Sequence, residues 1–169
     1  LLAFARDNKI DLTVVGPEQP LALGIVDLFR KEGLRIFGPT AMAARIEGSK
    51  VFAKDLMRDN RVPTGDYRVF TAAAPAKDYV RGKGRIIVKA DGLAAGKGVY
   101  VCKNGDEAAA AIEQILEQNL FGDAGKQIIV EEFLEGQEVS LLAFADGKTV
   151  LPLESAQDHK TVYDGDQGP

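Results

Sequence analysis

The chain has 169 residues, of which 46% are hydrophobic and 27% are charged, and its formal net charge is −4. This is the composition of a globular protein, and the negative charge gives no support for a nucleic-acid-binding protein. No apolar run approaches the ~18 residues of a membrane span, and we do not expect the charged start, LLAFARDNKID, to be a signal peptide. The single cysteine, Cys102, excludes an internal disulfide, which fits a reducing cytoplasm. We therefore expect a cytoplasmic protein, and the charge and hydropathy predict no membrane or nucleic-acid partner.

The beginning of the chain predicts a parallel α/β layer. The end of a helix, a strand, a helix and a second strand are predicted at residues 1–9, 11–15, 21–31 and 34–37. A strand–helix–strand unit with short loops implies parallel pairing. Ligands of such layers bind at the C-terminal ends of the strands. Gly16, Pro17 and Glu18 lie at such an end and are therefore candidate binding residues.

The remainder of the chain predicts a small α+β module, at about residues 68–138, inserted into a larger fold. Thr40, Ser49 and Thr71 are predicted to cap the next three helices. A helix is predicted at residues 105–118, and strands are predicted at residues 67–70, 86–89, 99–102, 127–134, 138–145 and 149–153.

The stretch IIVKADGLAAGKGVYVC, residues 86–102, reads as a strand, a glycine-rich loop and a second strand. From Gly92 to Lys97 its loop is one residue shorter than the Walker A pattern G-x-x-x-x-G-K-[ST], and Gly98 stands where that pattern has Ser or Thr. A strand follows the loop, whereas a helix follows a Walker A loop. A glycine-rich hairpin between strands is typical of a flap that closes over phosphates. The alternative is a mobile hairpin with solvated lysines. The candidate ligand-binding residues are Lys89, Gly92, Gly96, Lys97 and Gly98.

Two further groups could belong to the same site. Lys50 lies at a predicted helix start, where a nearby anion would explain the unfavourable charge, although it could also be an exposed lysine. Glu131, Phe133 and Leu134 close a strand whose backbone could pair with a flat base, and Glu138 follows. The alternative is an ordinary strand end with one glutamate buried and paired.

The segment Asp158-His159-Lys160 contains the only histidine. It could be an acid–base centre, a loop that anchors a substrate, or a polar surface loop. Cys102 alternates with Val101 on a strand and is interpreted as a packed core thiol. We assign no catalytic nucleophile, since no Ser-His-Asp or Cys-His arrangement is present.

Taken together, these stretches resemble one family, the glycinamide ribonucleotide synthetases (phosphoribosylamine–glycine ligases), which are ATP-grasp enzymes of purine biosynthesis. The resemblance covers nearly the whole chain and depends on the core KADGLAAGKGV together with VVGPEQPLALGIVD, EGSKVFAKD, VEEFLEGQEVS and LPLESAQDHK in that order. It implies the end of an N-terminal parallel α/β domain followed by part of an ATP-grasp fold. The implied segments are residues 1–47 for the N-terminal domain, 48–67 for the start of the ATP-grasp domain, 68–138 for the flap-bearing B subdomain and 139–169 for the start of the second half.

The resemblance also implies roles for the candidate residues. Lys50 and Lys89 would contact the phosphates of ATP, and the loop from Gly92 to Gly98, with Lys97, would cover them. Glu131, Phe133 and Leu134 would line the adenine site, and Glu138 would reach the ribose. The segments 16–18 and 158–160 would face the phosphoribosylamine or glycine side. The chemistry would be phosphorylation of glycine by ATP, followed by displacement of phosphate by the amine.

The family pattern continues beyond both ends of this chain, so we expect a truncated fragment. The acidic ligands for Mg²⁺ are expected beyond Pro169 and no metal ligand is assigned here. We therefore expect the isolated chain to be inactive as a ligase and to bind nucleotide weakly at best. Two alternatives are another ATP-grasp carboxylate–amine ligase and a nucleotide-binding module without catalytic activity.

Overall fold

The computed structural model describes residues 1–94, 96–157, 159 and 162–165. The chain divides into two compact units, a first unit of residues 1–133 and a second unit of residues 134–169, which are described separately. The helices are α1 (Leu2–Asp7), α2 (Glu18–Ala22), α3 (Ile25–Lys31), α4 (Ala41–Gly48), α5 (Lys50–Asp59), α6 (Ala73–Val80) and α7 (Gly105–Ile112). The strands are β1 (Thr13–Val14), β2 (Ile36–Phe37), β3 (Tyr67–Phe70), β4 (Ile86–Ala90), β5 (Val99–Cys102), β6 (Ile128–Glu132), β7 (Val139–Ser140), β8 (Ala143–Ala145), β9 (Val150–Pro152) and β10 (Ala156–Gln157).

The first layer of the first unit is the predicted parallel pair. Strands β1 and β2 run parallel, with Thr13 opposite Ile36, and a small core around Val26 and Phe29 packs beside them. The single helix predicted over residues 21–31 is wrong, because two short helices, α2 and α3, take its place. Gly24 separates them with a φ of +83°, a left-handed conformation that interrupts helical hydrogen bonding.

Side-chain capping was predicted at three helix starts and occurs at two of them. The Thr40 hydroxyl accepts a hydrogen bond from the backbone N–H of Ala43, and the Ser49 hydroxyl accepts one from Phe52. The predicted cap at Thr71 is wrong. Helix α6 begins at Ala73, and its N-cap residue, Ala72, has no side chain that can accept a hydrogen bond.

The larger layer of the first unit is a four-stranded antiparallel sheet in the order β3-β6-β4-β5. The predicted glycine-rich hairpin is confirmed, since β4 pairs with β5 and places Lys89 opposite Val99. One face of the sheet, which includes Val88 and Val130, forms a core with α6 and α7. Because side chains alternate between the two faces of a sheet, Lys89 and Glu131 lie on the opposite face.

The helix predicted at residues 105–118 changes its hydrogen-bonding pattern part-way. Helix α7 ends at Ile112 and continues as a π-helical segment, Glu113–Glu117. A 3₁₀ turn, Gly122–Gly125, then leads to β6.

Cys102 is 3% exposed in the core that the sheet forms with α6 and α7, which confirms the predicted packed thiol. Burial raises the pKa of this thiol.

The second unit consists of short antiparallel pairs. Strand β7 pairs with β10, and β8 pairs with β9 across a turn in which the Asp146 carboxylate accepts hydrogen bonds from the backbone of Lys148 and Thr149. The single strand predicted at residues 138–145 is wrong, because two strands with different partners replace it. The described residues of these strands are all exposed. The predicted division at residues 47, 67 and 138 stays a prediction.

Candidate functional site

The face of the sheet that is turned away from the core carries an ion pair. Lys89 ends β4, and its Nζ donates a hydrogen bond to Glu131 Oε1 on the neighbouring strand β6 at 3.1 Å. The side chain of Lys89 is 23% exposed, whereas that of Glu131 is only 9% exposed. Two residues that the sequence singled out separately are therefore in direct contact.

Helix α5 lies beside this face and contributes two more lysines. Lys50 and Lys54 are four residues apart, a spacing that places both on one side of a helix. Helices α4 and α5 and strands β4 and β6 line an open cavity of about 240 Å³. Its lining residues are Ile46, Glu47, Lys50, Ala53, Lys54, Met57, Lys89 and Glu131. Three of them, Lys50, Lys89 and Glu131, were predicted site residues.

The Lys50 ammonium group lies against the backbone at the start of the glycine-rich loop. Its Nζ donates to the carbonyl oxygen of Gly92 at 3.1 Å and to that of Asp91 at 3.4 Å. None of the ion pairs among the described residues involves Lys50. Burial lowers the pKa of its ammonium group, and the nearby Asp91 and Glu47 carboxylates oppose that effect. A partly buried cation without a carboxylate in direct contact is suited to an anionic ligand.

Asp91 connects the glycine-rich loop to helix α5 through hydrogen bonds. Its carboxylate is buried and accepts hydrogen bonds from the Ser49 hydroxyl at 3.0 Å, the Val51 backbone N–H at 2.7 Å and the Gln127 amide at 2.7 Å. The backbone N–H of Lys50 donates to the Asp91 carbonyl at 3.1 Å. A negative charge at a helix N-terminus is favourable, so one residue holds the helix, the loop and the start of β6 together.

Glycine is required at the three loop positions for different structural reasons, which are close contacts at two of them and backbone conformation at the third. A Cβ on Gly92 would lie 2.7 Å from the Ala124 Cα, and one on Gly98 would lie 2.7 Å from the Ala94 Cβ. Gly96 has open space around it but a φ of +77°, which favours glycine. Lys97 is exposed and does not line the cavity. The backbone N–H of Gly92 donates to the Ala124 carbonyl, so this N–H is already engaged within the protein.

The other predicted nucleotide contacts are divided between the two units. Phe133 ends the first unit, and its ring is covered by the Arg85 guanidinium at 3.7 Å from the ring centroid. That ring face is occupied, which favours a role for the backbone of Phe133 over one for its side chain. Leu134 and Glu138 belong to the second unit and are exposed there.

The predicted substrate-binding residues that the structure describes are all exposed. Gly16, Pro17 and Glu18 are exposed at the C-terminal end of β1, where Pro17 is the N-cap residue of α2. In the second unit, His159 is exposed. Asp158 and Lys160 lie outside the described residues.

Sequence reasoning missed two residues of the site. Lys54 is 7% exposed, and its Nζ lies 3.2 Å from Glu131 Oε2. Asp91 is 9% exposed and connects three elements. The available signals were the four-residue spacing between Lys50 and Lys54 and the position of Asp91 between Lys89 and the first loop glycine.

The donor set of the cavity fits an anion better than a metal ion. Three ammonium groups face two carboxylates, and the Glu131 carboxylate already lies against two of the lysines. The described part of the chain contains no group of three or more His, Cys, Asp or Glu side chains that could hold a metal ion. Nor does any helix in that part have the length and apolarity needed to cross a membrane.

Comparisons with known proteins match the chain from end to end. The family model for the phosphoribosylglycinamide synthetase N domain matches residues 1–47, and the model for the ATP-grasp (A) domain of the same synthetase matches residues 48–169. The chain belongs to the phosphoribosylglycinamide synthetase family. The phosphoribosylamine–glycine ligase of Halalkalibacterium halodurans is 57% identical to this chain over 170 residues. That match covers 100% of the chain and 40% of the relative, so the chain spans less than half of the length of this synthetase family member.

Solved structures support the same assignment. The crystal structure of phosphoribosylamine–glycine ligase from Thermotoga maritima superposes with a TM-score of 0.76 at 29% identity, over 92% of this chain and 38% of that chain. The biotin carboxylase domain of Hydrogenobacter thermophilus 2-oxoglutarate carboxylase, solved with MgADP and bicarbonate, superposes with a TM-score of 0.73. Its identity is 18%, over 91% of this chain and 35% of that chain, so it shows the shared ATP-grasp fold alone. These superpositions confirm the predicted fold class for this member of the synthetase family.

Proposed function

We propose that this chain supplies ATP-binding residues of a phosphoribosylamine–glycine ligase. The reaction would join glycine to 5-phosphoribosylamine, with ATP as the energy source, and would give glycinamide ribonucleotide, ADP and phosphate through a glycyl phosphate intermediate. One observation carries the proposal. Lys50, Lys89 and Glu131 come from three different elements and converge on one cavity, in a chain whose relatives bear the name of that ligase.

In this proposal the cavity receives the nucleotide. Lys50 and Lys89 contact the phosphates, where two ammonium groups balance the charge that develops during phosphoryl transfer. Glu131 accepts a hydrogen bond from the adenine amino group, and Phe133 and Leu134 contribute backbone groups. Glu138 binds the ribose hydroxyls. The loop containing Gly92, Gly96, Lys97 and Gly98 covers the phosphates.

The other substrates and the metal are assigned to other segments of the protein. Gly16, Pro17 and Glu18, together with Asp158, His159 and Lys160, are proposed to bind phosphoribosylamine or glycine. Mg²⁺ would neutralise the phosphate charge, with ligands supplied from beyond residue 169, and the described residues provide no cluster for it. The chain's own contribution is to position the phosphates and compensate their charge. The proposed location of the reaction is the cytoplasm.

The first test compares Lys89→Ala with Cys102→Ala in a full-length ligase that contains these 169 residues. The Lys89 ammonium contacts the phosphates in the proposal, so its loss should lower kcat/KM for ATP by ~10²-fold, equivalent to ~3 kcal/mol. Cys102 lies in the core on the other face of the sheet, so its replacement should leave this ratio within about threefold once folding is verified. Equal effects of the two exchanges would contradict the proposed phosphate role of Lys89.

A second measurement addresses the acceptor. Phosphate release from ATP by that full-length protein should depend on both glycine and phosphoribosylamine. Release that depends on a different carboxylate or amine would favour another ATP-grasp ligase instead.

A further inference from the structure

We infer that Lys54 is a positioning residue for nucleotide binding, because it remains the counter-ion of Glu131 and so frees Lys89 to move from Glu131 to a phosphate group. The inference rests on the proposed function, in which Lys89 contacts the phosphates. Lys54 is a buried lysine that makes none of the proposed contacts to the phosphates or the base.

Two ammonium groups share one buried carboxylate. Lys89 Nζ lies 3.1 Å from Glu131 Oε2, and Lys54 Nζ lies 3.2 Å from the same oxygen. Glu131 Oε2 is fully buried, and these two ammonium groups are its positively charged neighbours among the described residues. The carboxylate therefore has one more positive neighbour than it needs for neutrality.

The two lysines differ in how firmly they are held. The Lys54 side chain is 9% exposed, and its Nζ also donates to the Thr64 hydroxyl at 2.7 Å and to the Gly65 carbonyl at 3.2 Å. The Lys89 side chain is 23% exposed, and among the described residues its ammonium hydrogen bonds go to Glu131 only. Lys89 is therefore the lysine that can turn into the cavity, and Lys54 is the one that stays.

This difference matters when a phosphate arrives. If Glu131 had Lys89 as its only counter-ion, the transfer of Lys89 to a phosphate would leave a buried carboxylate unpaired, which is strongly unfavourable. Lys54 removes that cost because Glu131 keeps a positive neighbour throughout. A ligand without phosphates does not require Lys89 to move and should not depend on Lys54 in this way.

The test measures binding of ATP and of adenosine to this chain by NMR titration, which detects weak affinities. Lys54→Met keeps an unbranched side chain, one heavy atom shorter than lysine, and removes the charge. We expect it to weaken ATP binding about tenfold or more, corresponding to one lost charge compensation, and to leave adenosine binding within about twofold. Lys54→Arg keeps the charge and should restore most of the affinity for ATP.

A double substitution tests the coupling to Glu131. With Glu131→Gln the carboxylate no longer needs a counter-ion, so adding Lys54→Met to that variant should not weaken ATP binding further. Thermal unfolding verifies that each variant is folded, and Lys54→Gln replaces Lys54→Met if the latter does not fold.

The outcomes separate this inference from the proposed function. Equal losses for ATP and adenosine in Lys54→Met, or an undiminished effect of Lys54→Met in the Glu131→Gln background, would overturn the positioning role and leave the proposed function intact. If the unsubstituted chain bound neither ligand at millimolar concentrations, its proposed role in ATP binding would fail, and the inference with it.

Discussion

At the scale of single residues, Lys50 combines partial burial with a positive charge that the proposed ligand requires. Burial lowers the pKa of its ammonium group, because a charged group loses hydration inside a protein. A bound phosphate would favour the protonated form, so the nucleotide complex binds more protons than the free chain. We therefore expect the affinity for ATP to fall as the pH rises toward the ordinary lysine pKa, and to begin falling at lower pH than an exposed lysine would cause.

The same pKa shift has the opposite sign for stability. The unfolded chain holds the Lys50 proton up to the ordinary lysine pKa, whereas the folded chain releases it at lower pH. The unfolded state therefore binds more protons between these two values, and stability contributed by this group rises with pH in that window.

The pH dependence can be assigned to Lys50 by substitution. The charged groups that face it from the surrounding elements are Glu47, Lys54, Lys89, Asp91 and Glu131. Lys50→Arg stays protonated throughout the range, so the alkaline loss of affinity should move to higher pH. The affinity for ATP is measured from pH 7 upward in both proteins. If it falls at the same pH in Lys50→Arg as in the unsubstituted chain, another group titrates.

The residues of the site differ in how visible they are in the sequence. Lys89 and Gly92 to Gly98 form a continuous pattern, so the hairpin could be predicted from the sequence. The four-residue spacing from Lys50 places Lys54 on the same side of the helix but does not predict its burial, because a lysine in the middle of an amphipathic helix is normally solvated. The tertiary approach of Glu131, Thr64 and Gly65 to α5 explains its burial.

At the scale of elements, the Asp91 carboxylate connects α5, the glycine-rich loop and the start of β6. Asp91→Ala removes the acceptor for Ser49, Val51 and Gln127 and leaves partly buried donors unpaired. We expect a loss of ~3 kcal/mol in the free energy of unfolding, since hydrogen bonds to a charged group contribute ~1.5–3 kcal/mol each and are not additive. Chemical denaturation measures this directly.

Asp123→Ala is the matched control for that experiment. Asp123 is also an aspartate in a turn near the sheet, but its side chain is 93% exposed, and within the described part of the chain it pairs only with the exposed Lys126. Its removal should not shift the denaturation midpoint measurably. A similar shift in both variants would contradict the role of Asp91 as the connection between these elements.

The elements also show what limits prediction from the sequence. The parallel pair, the hairpin and the helix starts at Thr40 and Ser49 follow from local patterns that the tertiary structure agrees with. The break at Gly24 was missed because apolar spacing continued across it, while a left-handed glycine ends one helix and begins the next. The prediction of a single strand at residues 138–145 was wrong for another reason. Alternation of apolar and polar side chains does not reveal where the chain changes its pairing partner.

At the scale of the whole molecule, the two units differ in how much they bury. Among the described residues, the two hydrophobic cores and the cavity lining lie within residues 1–133, whereas the strands β7 to β10 are exposed. Exposed backbone with few buried contacts opens at low free energy. We therefore expect amide protons of β7 to β10 to exchange faster than those of β4 and β6 in a hydrogen-exchange experiment.

The same difference predicts the behaviour of a chain shortened to residues 1–133. Its cooperative thermal unfolding should persist, with a midpoint within ~5 °C of the full chain, because a change of ~1 kcal/mol shifts the midpoint of a domain of this size by about that amount. Lys50, Lys54, Lys89 and Glu131 all remain, so binding of inorganic tripolyphosphate should be unchanged. ATP binding should weaken, since the proposed nucleoside contacts at Leu134 and Glu138 are removed. Loss of tripolyphosphate binding in a folded shortened chain would show that the phosphate site depends on the second unit.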